Sequence, residues 1–362
     1  MKQKSSMRIL QLIFLAFISI SSFSQGVTTP RTPSPASEVS QTIGISRVTV
    51  NYSRPSVKGR EVWGSLVPYG WNVQGFGLGN SAPWRAGANE NTTIRFSHDS
   101  KVEGQTVPAG IYGLSFIINN DNTGEVILSK DSRSWGSFFY DAKNDQQRSK
   151  IRIREHAFTE LLTYDFVNPT KTSAELVLNW DKKQFPVKIE FDVDNIVMAN
   201  AAEELKSTTG FSYLGFVSAA NYSLQNKTHL DEGLKYINTA VAQNNSFATL
   251  STKSNILKEI GKTEESDKIM KDALAVATNN ELNAYGYQLM NGGQQEKAIE
   301  IFILNTQKNP KDPNTFDSLG EAYFTKGDKK NAVINFKKSM SMNPNAATKA
   351  NSEKFLKQLG AL

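Results

Sequence analysis

The sequence predicts two domains: an all-β antiparallel sandwich or barrel over residues 43–195, then an all-α solenoid of stacked helical hairpins over 196–362. Three observations predict it. Between residues 43 and 194, short apolar runs alternate with period two and are separated by Gly, Pro, Asn and Asp turns, which is the pattern of many short strands. From about residue 196 the apolar period lengthens to that of a helix, and Pro is absent between residues 187 and 309, where it would break one. All eleven Arg residues lie at or before Arg154, so the second half presents Lys alone and lacks the guanidinium fork suited to bidentate anion capture.

The chain opens with Lys2, Lys4 and Arg8, an apolar run from Ile9 to Ile20, and Ser22-Phe23-Ser24. This order of charge, apolar core and small residues is that of a secretory signal over residues 1–24, cleaved before Gln25. No Cys follows to carry a lipid, and the run is too short for a comfortable membrane span. The protein is therefore expected to be exported, to the periplasm or the extracellular space, with no span left after cleavage. Removing three of the 41 basic residues leaves 38 against 35 acidic ones, a net charge of +3. That is too weak a bias for a nucleic-acid partner, which asks for a basic stripe. Disulfides, thiolate catalysis and Cys-ligated metals are excluded by the absence of cysteine, so packing alone must hold each domain. Residues 25–42, rich in Thr, Pro and Ser, read as a flexible leader.

Strands are expected at Ser46–Ser53, Thr92–Ser97, Tyr112–Ile118, Glu125–Leu128, Lys150–Arg154, Leu161–Phe166, Ala174–Trp180 and Phe185–Asp192. Val48, Val50 and Tyr52 share one face of the first, whereas Tyr112–Ile118 is continuously apolar, as a strand buried on both faces would be. Turns are expected at Glu103-Gly104, Pro108-Ala109-Gly110, Asn168-Pro169 and Asp181-Lys182-Lys183.

In the second half two segments align 34 residues apart. Leu282, Tyr285, Gly286, Leu289, Gly293, Ala298, Phe302 and Pro310 match Phe316, Leu319, Gly320, Tyr323, Gly327, Ala332, Phe336 and Pro344. Two fainter copies precede them, one with Val217, Ala220, Leu224, Gly233, Ile237 and Ala240, the other with Leu250, Ser254, Leu257, Gly261, Ser266, Met270 and Ala273. Repeat starts fall near 214, 247, 279 and 313, spacings of 33, 32 and 34. The small residues let paired helices approach, the Phe residues fill the space between repeats, and the Pro residues end the second helix. A last amphipathic helix at about 346–359 is placed to cap the stack. The pattern resembles the tetratricopeptide repeat, which implies a surface that docks a protein or peptide.

The most distinctive strings lie in the first half: RPSVKGREVWGSLVPYG (54–70), PWRAGANENTTIRFS (83–97) and VPAGIYGL (107–114). So polar a stretch as 83–93 needs hydrogen-bond partners, either within a tight turn or in the wall of a site. Arg54, Lys58, Arg60 and Arg85 are candidates to meet an anion or an array of sugar hydroxyls, Trp84 to stack on a ring, and Asn89 and Glu90 to supply hydrogen bonds. The alternative is structural: Arg85 paired with Glu90 or Glu61, Asn89 capping a turn, Trp84 plugging the end of the sandwich. In order and spacing these strings, with Trp135-Gly136, Arg148 and Trp180, resemble the bacterial family of unknown function numbered 2911, over about residues 50–192. The resemblance implies export, and a tetratricopeptide array behind the domain is found in some members. The stretch NVQGFGLGNSA (72–82) departs from the family as extra length, placed to cover or reshape what the Trp-Arg segment lines.

Other chemistries find little footing. The GFGLG run at 75–79 lacks the helix start and Lys-Ser/Thr pair of a phosphate cradle and reads as a surface loop. His98, His156 and His229 form no metal-binding spacing, no nucleophile elbow is present, and nothing calls for a metal or a cofactor. No catalytic residue is assigned. The leading expectation is an exported binding or scaffolding protein, its β domain holding a glycan or small molecule. The alternatives are an envelope hydrolase or lyase acting near Trp84–Glu90 and a purely architectural envelope component.

Overall fold

In the first unit, alternation in sequence becomes alternation in burial. The computed structural model describes residues 33–362, so the signal segment and the first part of the leader lie outside the described residues. The chain divides after Val193 into two units. The strands are β1 (Ala36–Ile43), β2 (Ser46–Ser53), β3 (Asn72–Val73), β4 (Ser81–Ala82), β5 (Thr93–Phe96), β6 (Ser100–Val102), β7 (Gln105–Val107) and β8 (Gly110–Ile118). They continue with β9 (Thr123–Ser129), β10 (Asp145–Arg152), β11 (Arg154–Val167) and β12 (Ser173–Glu190). One sheet has the order β1-β2-β5-β8-β9-β10, a second β11-β12-β6-β7, and β3 pairs with β4 alone. Val48, Val50 and Tyr52 of β2 are buried while Arg47 and Asn51 are exposed, and β8, central in its sheet, is buried on both faces. The two large sheets face one another: Phe116 of β8 meets Phe185 of β12 edge-on at 5.3 Å, and Tyr52 meets Tyr164 of β11 at 4.8 Å. The result is an open antiparallel sandwich, not a closed barrel.

Three sequence expectations are corrected. The leader was expected to run to residue 42, but residues 36–43 form β1, paired with β2 from Ala36↔Ser53 to Ile43↔Ser46. Its polar face is that of an edge strand, which buries little and so reads as a linker. The hairpin turns at Gly44, whose φ of +60° and whose closeness to Val193 leave no room for a Cβ. The Asp181-Lys182-Lys183 turn does not form. Asp181, at φ 52°, sits in an irregularity opposite Thr159, and the two expected strands are halves of one 18-residue strand. The expected strand at Lys150–Arg154 straddles Ile153, where the chain leaves one sheet for the other. Glu103-Gly104 does turn, both residues at positive φ, but it joins β6 and β7, too short to be seen in the pattern.

The second unit holds ten α-helices among the described residues. After α1 (Val193–Glu204) come the hairpins α2 (Tyr213–Asn226) with α3 (Leu230–Gln243), α4 (Phe247–Glu259) with α5 (Thr263–Val276), α6 (Asn279–Asn291) with α7 (Gln295–Lys308), and α8 (Pro313–Lys326) with α9 (Lys329–Ser341), then α10 (Ala346–Gln358). Their first helices begin at 213, 247, 279 and 313, within a residue of the starts expected from the repeat. A Cβ on Gly286 would lie 2.6 Å from the Phe302 ring, and one on Gly320 would lie 2.8 Å from Phe336. Ala298, Ala332, Phe302 and Phe336 are fully buried. At the same places in the second hairpin Ser254 and Ser266 exchange hydrogen bonds, each Oγ donating to the other's carbonyl at 2.9 and 2.8 Å.

Polar contacts tie successive repeats together. Lys308 Nζ donates to the carbonyls of Leu274, Ala275 and Ala277 at 2.8–3.1 Å, placing a cation at the C-terminal end of α5, where the helix dipole favours it. Asp317 accepts from Ser352 and from Asn351 at 2.8 Å, and Asn351 also donates to Glu321. Burial pushes the Asp317 carboxyl above its ordinary range, against the hydrogen bonds that lower it.

Candidate functional site

The distinctive strings meet at a cavity of about 540 Å³ in the β unit. Trp84 enters it from a single antiparallel bridge, its N–H and carbonyl exchanging hydrogen bonds of 2.9 Å with Phe116. This seats the indole among aromatic rings. It stacks on Trp180 at 5.8 Å and 13°, and Trp63 meets it edge-on at 5.7 Å. Trp84 is half-buried, because the side away from these rings faces the cavity. The next residue, Arg85, lies under Phe138 at 5.2 Å and so close to Gly136 that a Cβ there would sit 2.4 Å from its guanidinium carbon. Arg85 Nη1 donates to the Asn89 carbonyl at 2.6 Å, which closes the turn in which Ala86 and Asn89 both take positive φ. Asn89 Nδ2 reaches the Ser34 carbonyl at 3.3 Å. Below the turn, the Ala86 carbonyl accepts from Thr92 and from Tyr164, each at 3.1 Å, so the frame holds it from two sides.

Five of the seven candidate residues line this cavity: Lys58, Arg60, Trp84, Arg85 and Asn89. Two do not. Arg54 points its guanidinium at β11, with Nε donating to the Leu162 carbonyl at 3.0 Å and Nη2 to Thr163 at 2.7 Å, and so ties strand to strand. Glu90 lies next in sequence but outside the lining. Arg60 spends two donors on the carbonyls of Ser56 and Val57. Lys58, at φ 49°, is held by its own N–H on Glu160 at 3.0 Å, leaving the ammonium exposed. The expected pairing of Arg85 with Glu90 or Glu61 is not what holds it. Among the described residues its hydrogen bond goes to a carbonyl, and burial lowers its pKa with no carboxylate to oppose the shift.

Among the lining residues that sequence reasoning did not assign to the site are Ser137 and Trp180. Both are buried, at 6% and 2% exposure, and among the described residues both carry a donor without a protein partner: Ser137 Oγ and Trp180 Nε1. Ser137 had a signal, since it follows the Trp135-Gly136 pair. Trp180 lies in a strand that reads as core. The extra stretch 72–82 is the β3–β4 hairpin, and its residues Asn72 and Gln74 form part of the wall. The GFGLG run is its exposed tip, fixed by Leu78 N–H on the Phe138 carbonyl at 3.0 Å and by Phe76 edge-on to Phe138 at 5.6 Å. No group of three or more His, Asp or Glu placed to hold a metal occurs among the described residues. No described helix is long and apolar enough to cross a membrane.

Comparison with known proteins agrees with both resemblances. Residues 34–189 match the family described as "Protein of unknown function (DUF2911)", and residues 314–346 match a tetratricopeptide repeat. The β unit thus matches the family the three strings suggested, and the second unit is a tetratricopeptide-type array. The cellulose synthase operon protein C of Escherichia coli (strain K12) and the putative protein of that name from Escherichia coli O157:H7 are each 36% identical over 64 residues. That is 18% of this chain and 6% of theirs, so the chain spans a small part of the length of these relatives. Two solved structures are similar at low identity. YrrB, titled "a TPR protein with an unusual peptide-binding site", is 14% identical over 44% of this chain and 84% of its own, with a TM-score of 0.27. Pseudomonas aeruginosa PilF is 17% identical over 42% of this chain and 71% of its own, also with a TM-score of 0.27.

Proposed function

We propose that this is an exported binding protein, its β unit holding a small ligand in the cavity beside Trp84 and its helical repeats docking a protein partner. One observation supports the ligand reading above the others: Lys58 and Arg60 from one string and Trp84, Arg85 and Asn89 from another line one cavity. Its volume, about 540 Å³, lies within the range of small-molecule sites. An architectural cluster would seal Trp84 and Arg85, yet both stay half-buried. A hydrolase or lyase would place an acid or imidazole in the cavity, and the described lining offers neither. Export rests on the charge, apolar run and small-residue site of residues 1–24.

The cavity reading is tested by filling it. Ala88 lies in the wall, and Ala88→Trp occupies the space that a ligand would use. In a thermal-shift screen of small metabolites on the full chain, hits are expected to disappear with Ala88→Trp while the unliganded Tm changes by only a few degrees. Hits that survive the substitution bind elsewhere and refute the cavity as the site. The docking reading is tested with the 194–362 repeats, whose four hairpins and end helix bury a core of their own. The fragment, used as bait on envelope extract, is expected to retain the proteins that the full chain retains. Retention by the full chain alone moves the docking surface off the repeats.

A further inference from the structure

We infer that the cavity takes a compact ring bearing an oxyanion, a carboxylate or a phosphate, with the charged group set against Arg85, Ser137 and Trp180 and the ring against Trp84. This rests on the cavity reading above and names the chemistry of its ligand.

The wall carries three cations, Lys58, Arg60 and Arg85, and among the described residues no carboxylate lines it. Like charges gathered about one space repel until an anion enters. A neutral ligand would leave that repulsion in place. Surface cations are usually solvated, so the deepest of the three decides the matter. Arg85 has five N–H donors, of which one protein hydrogen bond, to the Asn89 carbonyl, engages Nη1. Its guanidinium lies on the backbone of Gly136, and the next residue is Ser137.

Two buried polar atoms of this wall have no protein partner among the described residues: Trp180 Nε1, which can only donate, and Ser137 Oγ, which donates when it meets an anion. A buried donor left unsatisfied costs about 1–3 kcal/mol. An oxyanion brings acceptors only, and several of them. A sugar hydroxyl or an amide brings donors as well, which this part of the wall has few free acceptors to meet. The ring has its own place: Trp84 packs on Trp180 and Trp63, leaving part of the indole to face the cavity. Arg85 follows Trp84 directly, so one ligand a few ångströms across reaches both.

The experiment is calorimetric titration of the full chain with benzoate, phenyl phosphate and the uncharged isostere benzamide, at low and at physiological salt. Benzoate or phenyl phosphate is expected to bind at least tenfold tighter than benzamide and to weaken with salt, the tighter of the two identifying the anion. Arg85→Gln is expected to cost the anion about tenfold or more and benzamide only about two- to threefold. Should Arg85→Gln disturb the turn at Asn89, seen by circular dichroism, Ser137→Ala carries the test. That change removes one donor and no packing, with an expected loss of about three- to tenfold for the anion alone. Benzamide binding as tightly as both anions overturns the ligand class and leaves the cavity standing. Failure of both anions to bind overturns it as well, and the Ala88→Trp screen then decides whether the cavity binds anything.

Discussion

Phe336→Ala is expected to cost about 4 kcal/mol and to melt the last hairpin ahead of the others. The ring is fully buried in α9, stacked on Phe355 at 5.2 Å and 6°, and it fills the place that Gly320 leaves open in α8. Truncating a buried Phe costs roughly 3–5 kcal/mol, toward the upper end where the walls cannot close in. Here they cannot: Gly320 has no side chain to move into the gap, and Ala332 on the same helix is equally small. Repeats contact only their neighbours, so the loss belongs to α8, α9 and α10 rather than to the unit as a whole. Hydrogen exchange followed by mass spectrometry reads this directly, as faster exchange over residues 313–358 with little change over 213–291. A loss below about 1 kcal/mol, or faster exchange spread evenly from α2 to α10, would contradict a core built from neighbour contacts around Phe.

How much of this could be read beforehand follows from how often the chain states it. The helical unit repeats one rule four times, a small residue in each paired helix and a large one between repeats. Even the faint second copy, with Ser254 and Ser266 in place of Gly and Ala, shows the rule through its spacing. Strands such as β2 and β8 were legible because burial imposes alternation on one and an apolar run on the other. β1, β3, β4, β6 and β7 were not, since an edge strand or a short hairpin buries too little to bias its composition. The turn expected at Asp181 shows the opposite failure: a polar tripeptide marks a bulge as readily as a hairpin.

The candidate site was legible in part for a similar reason. A string with Trp, Arg and Asn close together must satisfy its polar groups somewhere, so Trp84, Arg85 and Asn89 announced themselves. Their convergence with Lys58 and Arg60 depends on how β2, β5 and β8 order the intervening loops, which no local pattern records. Arg54 looked the same as Arg60 in sequence, yet one ties the segment after β2 to β11 and the other lines the cavity. Ser137 and Trp180 lay beside or within the distinctive strings, but their burial without a partner among the described residues is a property of the fold.

Trp84→Ala is expected to cost about 3 kcal/mol and to abolish ligand capture at the same time, whereas Trp84→Phe keeps most of the stability. The first effect comes from the frame. Trp84, Trp180 and Trp63 meet pairwise at 5.7–5.8 Å, and Phe185 packs on Trp63 at 5.4 Å and on Trp84 at 5.9 Å. Removing the ring leaves Trp63 and Trp180 with an open face, and aromatic pairs of this kind add about 0.5–1.5 kcal/mol beyond their buried area. Because Trp84 is only half-buried, the loss falls at the lower end for a large aromatic. Phe restores an apolar face and much of the packing, with a smaller surface for the ligand's ring. Denaturant unfolding gives the stability change, and near-ultraviolet circular dichroism reports the near-parallel Trp84–Trp180 stack, whose signal both variants should lose. Capture is read with whichever anion the wild-type chain binds. Trp84→Phe is expected to weaken it several-fold with the fold intact, which separates the ring's contact with ligand from its part in the frame. A Trp84→Phe protein that binds as tightly as wild type would confine Trp84 to the frame and place the ligand's ring elsewhere in the cavity.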